Sequence, residues 1–157
     1  MTPPSLIQLG DVVDHQMQSR FVQSALHLHY GTALVATVLF CGDEDNEHAL
    51  LCRPAPDETI DWLNRSKQQP PVTPPTRLDV GQALLERRAL LPVSVTCEAI
   101  ESIAKPSWGE RGQFATYGSY TNDVAYVLVG ADGRSACWVG KTLEAFDYDN
   151  LGSGLNG

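Results

Sequence analysis

The stretch Asp11-Val-Val-Asp-His-Gln-Met-Gln-Ser-Arg-Phe-Val-Gln-Ser-Ala-Leu-His-Leu-His-Tyr30 decides how the chain is read. Val13, Met17, Phe21, Ala25 and Leu28 recur at spacings of three and four. That spacing predicts an amphipathic helix of about five turns, with Asp11 as its N-cap and Asp14, Gln18 and Arg20 facing away from the apolar stripe. On such a helix His27 and His29 point away from one another and cannot share a metal, and a histidine near the helix end is stabilised by the dipole. Gly31 ends the helix.

Residues 32–41 are apolar on both alternating faces and rich in β-branched side chains, as a central strand is, and residues 48–53 return as its hairpin partner. Cys41 and Cys52 then lie near one another across the ladder. Three further helices are expected: one capped by Asp57 through Ile60, Trp62 and Leu63, one capped by Asp79, and one over Ala99, Ile100, Ile103 and Ala104. Residues 93–97 alternate like a strand. Residues 123–130 and 135–140, joined through Asp132-Gly133, read as a second hairpin, because that dipeptide suits positive φ in a tight turn. A last short helix is expected around residues 142–146.

These elements predict an α+β fold over residues 1–150, with an antiparallel sheet of two hairpins and helices packed on one face. The chain has 157 residues, and a chain of this length buries enough surface to fold as one unit without disulfides or metal. Residues 68–76 hold four prolines, which predicts an extended surface connector within that single domain. Residues 151–157, rich in Gly, Ser and Asn, read as a frayed tail.

Lys and Arg number 11 against 19 Asp and Glu, for a net charge of −8. Such a surface opposes phosphate backbones and anionic lipid, so neither nucleic acid nor membrane is expected as a partner. The longest apolar run is too short to span a bilayer, and the start lacks the features of a signal peptide, so a cytoplasmic protein is expected. The cysteines at 41, 52, 97 and 137 read as free thiols without zinc-knuckle spacing. Neither the segment from Asp43 nor that from Asp147 completes a calcium loop, so no metal and no cofactor is expected.

Two features point toward function. Asp43, Glu44, Asp45, Glu47, Asp57, Glu58 and Asp61 place seven carboxylates between residues 43 and 61 against the single cation Arg53. This pattern suits docking of a basic protein surface. Trp108, Phe114, Tyr117 and Tyr120 lie among glycines, with Arg111 between them, as an aromatic contact surface would. No nucleophile or phosphate-loop motif occurs, although Cys97 at a helix start and Glu110 in a cleft are the candidates for catalysis. The expected function is therefore a non-enzymatic acidic protein that binds a basic partner protein, as inhibitors, immunity proteins and secretion chaperones do. The alternative is a small enzyme or ligand-binding protein with its cleft at residues 107–122.

Overall fold

The computed structural model describes residues 4, 7–41, 48–67, 73–81, 83–106, 108–144 and 147–153. Twelve strands run through them: β1 (Asp11–His15), β2 (Gln18–Phe21), β3 (Ser24–Tyr30), β4 (Ala33–Phe40), β5 (His48–Cys52), β6 (Ile60–Arg65), β7 (Arg77–Asp79), β8 (Leu84–Ala99), β9 (Arg111–Gly118), β10 (Asp123–Gly130), β11 (Ser135–Leu143) and β12 (Asp149–Ser153). Among the described residues there is no α-helix, so the α+β expectation is overturned: the fold is an antiparallel β-barrel.

Eight strands close the barrel in the order β3-β4-β5-β6-β11-β10-β9-β8, and β8 returns to pair with β3. The sixteen-residue β8 makes closure possible: its first half pairs with β7 and β9, and residues from Ser94 onward pair with β3. A bulge between Arg87 and Ala89 bends it on the way, as bulges do where a strand must curve. β12, β1 and β2 form a separate three-stranded sheet.

An eight-stranded barrel is just wide enough for side chains to fill. Here Trp138, Tyr126, Phe40, Phe114, Leu26, Leu28, Leu51 and Leu128 are all buried in one cluster contributed by strands around the ring. Phe114 stacks on Tyr126 with ring centroids 5.7 Å apart, and Phe40 meets Trp138 at 6.2 Å. Each such side chain contributes roughly 1.5–3 kcal/mol by leaving water. β6 crosses so near β11 that a Cβ on Gly140 would sit 1.9 Å from the Trp62 carbonyl oxygen, and only glycine is accommodated there.

The outer wall is covered twice. The three-stranded sheet lies over β3–β6, where Val13, Val22 and Tyr148 pack on Ala25, Leu39, Leu50, Cys52 and Ile60. Leu78 on β7 and Val80 just after it, together with Leu85, cover the outer faces of Ala115, Tyr117, Val127 and Cys137. The first cover is pinned by Arg20, a buried cation on β2. It donates to the carbonyls of Ala49 (2.8 Å) and Leu63 (2.9 Å) and lies 3.8 Å over the Trp62 ring.

The helical expectation for residues 11–30 failed at one point. Gln16 and Met17 take φ values of +49° and +64° and join β1 to β2 as a two-residue hairpin loop. Positive φ at both positions matches the twist of a hairpin but is ordinarily supplied by Asn or Gly. Asp11 is no cap; its carboxylate accepts from the Gln8 amide (2.9 Å) and Asn150 Nδ2 (3.0 Å), tying β1 to β12. The expected helix from Asp57 is a turn followed by β6, in which Asp61 and Leu63 face the lumen while Ile60 and Trp62 face out. The expected helix from Asp79 begins as a turn, with the carboxylate accepting from the Gly81 amide (2.9 Å), and continues as β8. Residues 99–104 leave β8 through a turn closed by Ile103 N to Ile100 O (2.9 Å). Thr142 and Leu143 end β11, and residues 145–146 lie outside the described residues.

Both expected hairpins are present. β4 pairs with β5, and β10 pairs with β11 around Gly133 at φ +89°. Cys52 stands opposite Thr37 in the ladder, although Cys41 packs against the same outer cluster as Cys52, and all four cysteines are free thiols. Of the proline-rich segment, residues 73–76 are described. There Pro74 and Pro75 offer carbonyls to Arg87 Nη1 (3.0 Å) and the Tyr117 hydroxyl (2.6 Å). Residues 151–153 belong to β12.

Candidate functional site

A groove of about 570 Å³ runs along the outer wall where β3, β4 and the end of β8 meet the segment before β1. Its floor is apolar: Ile7, Leu9, Ala25, Leu39, Cys52 and Ile100. His27, on the outer face of β3, stands over it between Thr37, its register partner on β4, and Glu98 on β8, which lies diagonally across in register with Ala25. Its Nδ1 lies 3.3 Å from Thr37 Oγ1 and its Nε2 lies 3.4 Å from Glu98 Oε1. Glu98 is more than half exposed, so its charge is available to a ligand.

The β5–β6 turn that follows carries Asp57 and Glu58. Pro54 lines the groove, and the Glu58 amide donates to its carbonyl (3.2 Å). Asp57 is exposed beside it. Burial, with the charges of Asp61, Cys41 and Glu58, raises the Cys52 thiol, so this floor residue stays neutral. Arg53 also lines the groove, with Nη2 donating to the Tyr126 hydroxyl (2.6 Å) and its charge interacting with Asp61 and Asp57.

A second polar assembly lies inside the barrel. Asp61 is 1% exposed and accepts from the Tyr126 hydroxyl at Oδ2 and from Thr142 Oγ1 at Oδ1 (2.6 Å). Burial raises its carboxyl above the usual range, opposed by these two hydrogen bonds and by the charge of Arg53. The chain Arg53–Tyr126–Asp61–Thr142 satisfies its members among themselves, as buried polar groups must be. It ties β6, β10 and β11 together from within.

The residues read as a contact surface are divided by the fold. Trp108 (9% exposed), Phe114 (2%) and Tyr117 (1%) are core; Trp108 carries Arg134 over its ring at 4.7 Å. Tyr120 is fully exposed at the tip between β9 and β10, and Arg111 is exposed at the start of β9. Asp61 belongs to the lumen, and Asp57 and Glu58 to the β5–β6 turn. Asp43, Glu44, Asp45 and Glu47 lie outside the described residues. Cys97 sits within β8 rather than at a helix start, packed against the barrel core, and Glu110 is exposed with its carbonyl accepting from Val95.

Among the described residues no three His, Cys, Asp or Glu side chains gather as metal ligands, and no helix is long and apolar enough to cross a membrane. Sequence reasoning missed His27 and Glu98. The signal was present in His27-Leu28-His29, since alternation on a strand brings both histidines to one face while Leu28 enters the core. Comparison with known proteins finds no matching family model, no matching curated protein and no matching solved structure.

Proposed function

We propose that this chain is a non-enzymatic binding protein that holds a basic segment of a partner protein in the groove beside His27 and Glu98. One observation carries the reading: the exposed carboxylate of Glu98 stands over an apolar floor on a chain of net charge −8, while Arg53 Nη2 is directed at the Tyr126 hydroxyl. Lysine and arginine match such a groove, because their aliphatic stems cover apolar surface while a charged end reaches the Glu98 carboxylate. The filled lumen supports an external site, since Trp138, Phe40 and Tyr126 occupy the space a barrel would otherwise offer a ligand. Free thiols suit a reducing compartment such as the cytoplasm.

The test is titration of isotopically labelled protein with a short peptide of alternating lysine and leucine and with its glutamate counterpart. The lysine peptide should perturb amides of Ala25, Thr37, Cys52 and Ile100, with an affinity that falls as salt rises. The glutamate peptide should leave them unchanged. Equal perturbation by both, or perturbation only elsewhere, would refute the assignment.

A further inference from the structure

A different row of side chains crosses the outer wall where β3, β8 and β9 adjoin. In the register of the sheet His29 stands opposite Ser94, and Ser94 stands opposite Arg111. Directly opposed residues in antiparallel strands project from the same face with Cβ atoms about 4.5–5.5 Å apart. The residues between them, Leu28, Val95 and Val93, face the core, so His29, Ser94 and Arg111 all face out. Gln113 follows Arg111 on the same face of β9, opposite Pro92. These four side chains line a groove of about 580 Å³ that also takes in the bare backbone at Gly112 and Gly130.

We propose that this row is a binding site for the oxyanion group, carboxylate or phosphate, of a small molecule. The Arg111 guanidinium is exposed and has no hydrogen-bond or ion-pair partner among the described residues; the same holds for the side chains of His29, Ser94 and Gln113. Other arginines of the barrel are committed: Arg20 to the Ala49 and Leu63 carbonyls, Arg53 to Tyr126, and Arg87 to Pro74. Asp132, in the turn that follows β10, is engaged by the Arg134 amide (3.0 Å). Arg111 thus offers a fork of donors that matches two oxygens of one anion, and Ser94, Gln113 and His29 supply further donors within a side chain's reach. A net charge of −8 repels anions from the surface at large, so an anion held here is held by local donors rather than by the field of the whole chain.

The inference is independent of the groove at Glu98 and is tested with different probes. Inorganic phosphate and succinate are titrated into the full chain by calorimetry, and into the variants Arg111→Gln and Arg88→Gln. Arg88 is an exposed arginine of β8 outside this groove, so its replacement controls for net charge. Saturable binding of one or both probes is expected, weakened about tenfold or more by Arg111→Gln, as loss of a charge-assisted pair implies, and unaltered by Arg88→Gln. The preferred probe distinguishes a phosphate from a carboxylate ligand. Absence of saturable binding, or equal weakening by both substitutions, would overturn the site. A circular dichroism melt of Arg111→Gln, expected to match the parent, separates lost binding from lost folding.

Discussion

Asp61 and Glu98 are both carboxylates on strands of one barrel, yet Asp61 is walled into the lumen and Glu98 stands over an open groove. Asp61 spends its lone pairs on Tyr126 and Thr142, and its role is to join strands. Glu98 has one long contact to His27 and keeps most of its capacity for something outside the molecule. The difference shows that residue type does not assign a role on a strand. The face does, and a shift of one residue exchanges the two faces. The aromatic segment repeats the lesson, since Phe114 and Tyr117 pack on opposite sides of the barrel wall, while Tyr120, beyond the strand, is free.

The lumen is where the comparison breaks most visibly. Trp138→Ala should cost about 3–5 kcal/mol, because a large void opens among side chains that cannot collapse into it. Chemical denaturation checks this. A loss below about 1 kcal/mol would mean that the barrel is less tightly filled than its burial indicates, and would return the lumen to contention as a ligand site.

A smaller and pH-dependent effect is expected at Asp61. Its carboxyl is raised in the folded state, so the native protein holds that proton more tightly than the unfolded chain does. The contribution of Asp61 to stability is therefore greatest at acid pH, declines as pH rises from about 4 through the folded value, and is flat above it. Relative to Asp61→Asn, which does not titrate, the parent should lose ground over that window. Urea midpoints of both proteins across a pH series measure the difference. A parent that gains on the variant as pH rises would show that Arg53, Tyr126 and Thr142 outweigh burial.

The smallest effect on stability belongs to the groove. Glu98→Gln should change unfolding free energy by less than about 0.5 kcal/mol, since the residue is exposed and its one contact is long. The same substitution should weaken the lysine–leucine peptide and flatten its salt dependence. If stability fell while peptide binding held, Glu98 would be a structural residue like Asp61, and the contrast between the two regions would vanish.

How much could be read in advance differs by segment. The hairpins β4–β5 and β10–β11 were legible, because β-branched runs flank turns rich in Gly and acidic residues, and Asp132-Gly133 specifies a tight turn by itself. The segment 11–30 was not, because its turn uses Gln16 and Met17. With no breaker at the turn, two short strands and the start of a third laid their apolar residues at spacings that also suit a helix. Of the residues argued for the two grooves, Arg111 was marked by its aromatic surroundings. The groove and the anion row were invisible, because each joins residues tens of positions apart, such as His27 with Glu98 or His29 with Arg111.

From the sequence alone follow the acidic charge, the lack of zinc-knuckle cysteine spacing and the two local hairpins, since these depend on composition or on neighbours a few residues apart. Tertiary structure decided that the sheet closes, because ring closure requires residues 94–99 to find residues 24–29, a pairing between distant segments that no local pattern encodes. It also decided which face of each strand meets water. Alternation is clear only where one side is covered, and in this barrel both sides are covered over much of the wall, by the lumen within and by β1, β2, β7 and β12 without.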